Sequence, residues 1–242
     1  MMMDVSQNDG EGVRLAKRVA DVAGCSRADA ERYIAGGWVS VDGSVAEDPA
    51  TRVTPAQAVA LLPGAHASDP LPATILLHKP AGVDGGTGAA LLALLALITP
   101  DTQAAPAQRF LKRHLNKLEL VAPLPKTASG LVVLSQDWRI ARKLVQDGDR
   151  IEHEFVVEVS GAIADNGMSR LNAAGAYPLK ASWQSEGRLR FAGKGADAAR
   201  ILDLCTGVGL TVTQLRRLRI GRVALAGLPA GRWRFLGEHD KF

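Results

Sequence analysis

The run VRLAKRVADVAGCSRADAERYIAGGWVSVDG, residues 13–43, decides how the first part of the chain folds. From Val13 to Ala23 the apolar residues recur at helical spacing, with Leu15, Val19 and Val22 on one side and Arg14, Lys17 and Arg18 on the other. Ser26 is suited to open a second helix, because its hydroxyl can accept from a backbone N–H of the first turn. That helix, over SRADAERYIAGG, closes on glycines fit for a C-cap. Trp38 to Val41 then alternates and meets Asp42-Gly43, a pair that tolerates positive φ and so turns a hairpin. The predicted order is helix, helix, hairpin, in a unit over residues 13–62.

On either side of this unit the composition changes. Residues 1–12 are polar and aperiodic and read as a disordered tail, without the basic and apolar regions of a secretory signal. Residues 63–73 read as a linker, because PGAHASDPLP at 63–72 is rich in proline and small residues. The remainder, residues 74–242, forms a second unit. Its strands are expected at Thr74–His78, Gly130–Ser135, Glu154–Val159, Gly187–Phe191, Arg217–Ala224 and Trp233–Leu236. Helices are expected at 88–98, 138–146 and 197–208, and GVDGGTG at 82–88 as a loop. Strands outnumber helices and are mixed with them, which predicts an α+β fold around a mostly antiparallel sheet.

Composition bounds the function. Of 242 residues, 47% are hydrophobic, enough for a sizeable core. The formal net charge is +4, a mild basicity compatible with nucleic acid and shared by many enzymes. The most apolar stretch, AALLALLALI at 89–98, is too short to span a bilayer, so no membrane role and a cytoplasmic location are expected. Cys25 and Cys205 stand far apart without metal-ligand spacing, and read as thiols in a reducing compartment.

The first unit resembles the alpha-L (S4-like) RNA-binding domain. The resemblance rests on Arg14, Leu15, Lys17, Ser26, Arg27, Ala30, Ile34, Gly37, Val39, Val41 and Gly43, and it continues through Asp48-Pro49 and Arg52-Val53. It implies that a basic helical face grips phosphates of folded RNA, through counterion release and charge-assisted hydrogen bonds. The candidate RNA-binding residues are Arg14, Lys17, Ser26, Arg27 and Arg32. The unit carries as many acids as bases, so without the resemblance a solvated helical face would be the plainer reading.

The second unit resembles the RsuA-type pseudouridine synthases. ILLHKPAGV at 75–83 is similar to their opening strand and KPAG loop, and ASGLVVLSQD at 128–137 to their TSGLLLLTND run. IEHEFVVEV at 151–159 is similar to their KEYxVxV strand, and 208–236 to their C-terminal signature. The family places an alpha-L domain ahead of the catalytic domain. The resemblance implies isomerisation of uridine to pseudouridine in ribosomal RNA, with no cofactor and no metal, by a monomer. The target base is flipped out and attacked by an aspartate acting as nucleophile.

That aspartate lies in a family run G-R-L-D-x-x-T-S-G-L. The aligned residues are Ala122 to Leu131, which place Pro125 at the nucleophile position and Pro123 at the arginine position. Proline has no ionisable side chain and no N–H, so it can neither attack carbon nor hold a proton. The tyrosine that packs on the target base is replaced by Phe155, and a basic run in a late helix is replaced by Ala198 to Leu204. Asp84, Glu119 and Asp137 are the carboxylates near these motifs, and nothing in the sequence prefers one of them as a substitute nucleophile. Lys79, Arg217 and Arg219 are candidate cleft residues, and strand alternation would put Arg217 and Arg219 on one face. Arg109 to His114 is a basic cluster that reads equally as an RNA contact and as a solvated helix face.

These features support a degenerate member of the family that binds structured RNA, with ribosomal RNA the expected partner. Two other readings stay open: an active synthase using a carboxylate from elsewhere, and a protein-interaction scaffold.

Overall fold

A computed structural model describes residues 12–85, 94, 97–98, 109–173 and 179–242. Two compact units are formed by the described residues of segments 12–71 and 109–116, and of segments 72–98 and 117–242. The expected tail, the loop beyond Gly85 and most of the helix expected over 88–98 fall outside the described residues; Leu94, within that stretch, is helical and buried.

In the first unit, β1 (Val13–Arg14) pairs antiparallel with β4 (Arg52–Val53), and α1 (Leu15–Ala23) follows at once. Ser26 caps α2 (Arg27–Ala35) as its sequence predicts, accepting the Asp29 N–H at 3.1 Å. β2 (Val39–Val41) and β3 (Ser44–Val45) form the hairpin, with β5 (Val59–Leu61) on the other side of β2. Asp42 and Gly43 turn it at φ 51° and 80°, as a two-residue loop matching strand twist requires. The Asp42 carboxylate accepts from Gln57 and from the Ala58 N–H, tying the turn to the approach of β5. Leu15, Ala16, Val19, Ala30, Ile34, Val39 and Val53 form the core. Val22, expected on the buried side of α1, is 52% exposed. It lies in the last turn and has no member of that core against it.

The second unit is built on one sheet. Its principal order is β10 (Lys180–Ser185), β11 (Arg188–Lys194), β9 (Glu152–Ser160), β12 (Thr211–Ile220), β8 (Ser129–Ser135), β6 (Thr74–Lys79) and β14 (Trp233–Phe235). β7 (Glu119–Ala122) joins β8, and β13 (Val223–Ala224) joins β12. Every pairing is antiparallel except β12 with β8. Among the described residues the unit's helices beyond Leu94 include α3 (Trp138–Gln146), α4 (Gly167–Ala173) and α5 (Ala198–Gly207). All six residues of β6 are buried, so the centre of the sheet is covered on both faces. Leu76, Leu131, Val133, Leu144, Ile151 and Ile220 belong to the core on one of them. The mostly antiparallel α+β expectation therefore holds, while β5, β7, β10 and α4 are elements the sequence reading did not place. Trp183, on the edge strand β10, is 38% exposed.

Two enclosed histidines make the fold sensitive to acid. His114 Nδ1 accepts the Leu111 N–H at 3.0 Å, and burial, then the Arg113 charge, push its pKa down to about 4. Both ring nitrogens of His153 are enclosed without a partner. Burial first, then Arg217 and Arg219, push it from 6.5 to about 4. The unfolded chain takes up these protons at higher pH than the native one, so stability falls as pH drops from about 6.5 to 4. His153→Phe is expected to raise unfolding free energy at pH 7 by about 1 kcal/mol, by removing the unpaired polar group. The same variant should show a shallower loss between pH 7 and pH 5 in urea titrations. An unchanged slope would remove His153 from this account.

Candidate functional site

Lys79 ends β6 and pairs with Gly130 of β8, and Gly130 pairs in turn with Arg217 of β12. Arg217 is opposite Phe155 of β9, and Phe155 is opposite Phe191 of β11. One row across five strands therefore collects two cleft candidates and the base-packing position. Gly130 makes the row possible. It stands at φ 111°, and a Cβ there would run into the backbone of Arg217.

β8 shares one edge between two strands. β12 pairs at Ser129 and Gly130, while β7 pairs from Val133 to Ser135. Leu131 lies in the gap between them, and Arg217 fills it. Its Nε donates to Leu131 O at 2.7 Å and its Nη2 to Ala122 O at 2.6 Å. The side chain is buried, and burial pushes its pKa down to about 9, which leaves it charged at neutral pH. Arg217 is thus neither a solvated surface charge nor open to a phosphate.

Lys79 is fully buried. Its Nζ donates to Pro80 O at 3.0 Å and Val83 O at 2.7 Å, holding the KPAG loop in a curl. Burial pushes its pKa down to about 8; the Asp84 charge opposes the shift and the Arg217 charge adds to it. Gly85 closes the curl, since a Cβ there would meet Lys79 Cδ at 2.5 Å. The loop after β7 is stitched to this curl. Leu124 N–H donates to Gly85 O at 2.9 Å, Gly82 N–H to Lys126 O at 2.8 Å, and Ala128 N–H to Pro125 O at 3.1 Å. Leu124 is buried, whereas Pro123 and Pro125 are exposed.

Of the three carboxylates considered from sequence, the fold brings one to this loop. Asp84 interacts electrostatically with Lys79 and is adjacent to the Gly85–Leu124 bridge. Glu119 pairs with Ser135, five residues along β8 from Gly130 and so about 17 Å away. Asp137 caps α3 by accepting the Arg139 N–H, and its carboxylate also holds the Arg139 guanidinium. Phe155 is fully buried, so its ring presents no face to a base in this structure.

Arg219 does not share a face with Arg217. The register shifts around Leu218, so Arg217 stands opposite Phe155 and Arg219 opposite Glu154. This β-bulge breaks the alternation on which the sequence expectation rested. Arg219 donates to Glu154 at 3.0 Å and also pairs with Glu152, while Arg190 donates to Glu154 at 2.7 Å. These arginines brace β9 from its other face. In α5, Arg200 donates to Gly195 O at 3.2 Å.

In the first unit, Arg14 and Lys17 are exposed and without ion pairs among the described residues, within one turn at the start of α1. Arg18, absent from the sequence-based candidates, follows them, with its Nε enclosed and unpartnered. Ser26 is engaged in capping, and its Oγ also donates to Asp29 Oδ2 at 2.7 Å. Arg27 makes an exposed pair with Glu31 at 3.1 Å. Arg32 is held between Asp29 at 3.0 Å and Asp69 at 2.8 Å. Within the basic cluster 109–114, His114 is buried and Arg113 half-buried, so the stretch is neither a solvated helix face nor a fully open patch.

Residues 13–59 match the S4 domain family. Over 239 residues the chain is 27% identical to the dual-specificity RNA pseudouridine synthase RluF of Escherichia coli K12, covering 94% of this chain and 77% of that protein. It is 25% identical over 247 residues to ribosomal large subunit pseudouridine synthase B of Haemophilus influenzae, covering 94% and 66%. A crystal structure of pseudouridylate synthase shares the fold, with a TM-score of 0.57 and 17% identity, covering 93% of this chain and 96% of that one.

Removing Arg217 strands two buried carbonyls. Arg217→Met is expected to lower unfolding free energy by about 3 kcal/mol, and Arg217→Lys by less, because one donor remains. Guanidinium titration reads this. A loss below about 0.5 kcal/mol, the range of an ordinary surface change, would contradict the bridging role.

Proposed function

Taking as premise that the chain is a homologue of the RluF/RsuA-type pseudouridine synthases with an S4 domain at its N-terminal end, we propose that it binds structured RNA and no longer isomerises uridine. In this reading residues 13–62 are the RNA-binding module, 63–73 the linker and 74–242 a synthase-like domain without its nucleophile. The RNA is ribosomal, as the name of one relative indicates for that protein. The protein acts in the cytoplasm as a monomer, and the reading invokes no cofactor.

The observation that carries the proposal is Pro125. By the sequence resemblance it stands at the nucleophile position, and it is exposed in a loop stitched to the KPAG curl. The two buried cations nearby, Lys79 and Arg217, donate to backbone carbonyls. Covalent catalysis needs a placed nucleophile, and proline supplies none. Burial of Phe155 supports the same reading, since a flipped base gains by stacking on an accessible ring.

Binding is assigned to the first unit. Arg14 and Lys17 are exposed cations, and the exposed Arg27–Glu31 pair is weak enough for a phosphate to displace Glu31. Lys17→Ala with Arg27→Ala is expected to weaken binding to ribosomal RNA about tenfold and to reduce the slope of log affinity against log salt by about 2. Unchanged affinity and slope would sink the assignment, and absence of any RNA binding by the parent chain would favour the scaffold reading.

A second reading has one specific observation in its favour: Asp84 lies beside Lys79 in the loop that abuts Leu124. An active enzyme would use this carboxylate. The proposal instead expects Pro125→Asp to gain a low level of pseudouridine formation, and Asp84→Asn in that background to leave the gain in place. Loss of all activity on Asp84→Asn would support the second reading.

A further inference from the structure

Within the first unit is a cavity of ≈ 200 Å³ that neither the helical basic face nor the altered loop involves. Its walls come from three stretches of chain: Gly36 and Trp38 before the hairpin, residues 66–71, and Arg109 to His114. A cavity of about 150 Å³ is enough to take benzene, so this one admits a six-membered ring.

Its polar groups define what it would hold. Trp38 is 7% exposed, and among the described residues its indole Nε1–H meets no hydrogen-bond acceptor. Nε1 is not among the enclosed polar atoms, so the cavity wall offers an N–H donor that a ligand carbonyl can reach. His66 lies against the Trp38 ring at 4.6 Å between centroids and is itself exposed, extending the aromatic wall to the surface. Arg109 and Arg113 supply positive charge. Asp69, the carboxylate in the lining, is held by Arg32 at 2.8 Å, which leaves the balance cationic. The indole packs directly on Gly36, where a Cβ would meet Trp38 Cδ1 at 2.6 Å and Nε1 at 2.8 Å.

An aromatic wall, an unmet N–H donor and two arginines together suit a phosphorylated, planar, carbonyl-bearing ring. We propose that this cavity binds one RNA nucleotide, with a base carbonyl accepting the Trp38 Nε1–H and the phosphate on Arg109 and Arg113. This rests on the RNA-binding reading and deepens it. The first compact unit, which takes in residues 66–71 and 109–114 beside the module, would then hold RNA at two places: phosphates along α1 and α2, and a single unstacked nucleotide in the cavity. The nucleotide supplies the sequence preference that a phosphate-gripping face lacks.

The test uses the full chain and uridine 5′-monophosphate, followed by tryptophan fluorescence and calorimetry, with adenosine 5′-monophosphate, inorganic phosphate and hexauridylate as comparison arms. The expected result is saturable binding of the uridine nucleotide, at least fivefold tighter than the adenine nucleotide or phosphate, with hexauridylate tighter still. Trp38→Phe should abolish the fluorescence change and reduce affinity at least fivefold. Should that variant fold poorly, Arg109→Gln, at a half-buried side chain, should weaken binding about tenfold. Equal affinity for phosphate and both nucleotides, or no saturable binding, would overturn the proposal. Lys17→Ala with Arg27→Ala should leave nucleotide binding intact. Nucleotide binding without any RNA binding would therefore fault the broader reading alone, and RNA binding unaffected by Arg109→Gln would fault the cavity alone.

Discussion

The guanidinium of Arg217 sits where two strands divide one edge of β8, and the rest of the sheet is arranged around that fork. β12 leaves the edge after Gly130 and β7 takes it up at Val133, which would leave the Leu131 carbonyl unpaired inside the protein. Arg217 reaches it, and reaches Ala122 at the end of β7 with its other arm. An unmet buried carbonyl costs on the order of 1–3 kcal/mol, so one side chain both joins three strands and fixes where the loop after Ala122 begins. Gly130 is the counterpart, because only a residue without Cβ at φ 111° lets β12 approach this closely.

On the proposed reading, this arrangement lets the fold outlive its chemistry. The loop at 123–128 is held by backbone hydrogen bonds to the KPAG curl and by burial of Leu124, none of which asks for a carboxylate at position 125. The charges beneath are satisfied by carbonyls: Lys79 by Pro80 and Val83, Arg217 by Leu131 and Ala122. Buried cations would be costly without such partners. With them, proline at 125 is structurally acceptable, and it shortens the range of shapes open to the unfolded loop. The S4-like unit has its own core and its own caps, so a change in the loop at 123–128 leaves it untouched.

Features governed by local rules were legible before the structure. Ser26 capped the helix it precedes, Asp42-Gly43 turned the predicted hairpin, and the strands carrying Ile75, Leu131 and Val157 lie where alternation or apolar runs put them. Misses arose where tertiary geometry overrode a local period. The bulge at Leu218 sent Arg219 to the other face from Arg217, and no residue in LRRLRI announces it. Val22 continued the helical stripe on paper, but the core ends before the last turn reaches it. The site was legible as motifs and not as roles. Lys79 and Arg217 stood in the sequence as cleft candidates, while their burial and carbonyl partners follow from the fork and the curl, which exist only once distant strands have met.

The central claim is that the altered loop cannot form the carbon–carbon bond that defines the isomerisation. The most direct measurement is tritium release from ribosomal RNA transcripts labelled at carbon 5 of uridine, incubated with the purified chain under conditions in which RNA binding is independently detected. The account predicts release no faster than from RNA alone while binding is saturated. Release that grows with protein concentration, and that disappears in Asp84→Asn while binding persists, would contradict it and would place a working nucleophile in the KPAG loop.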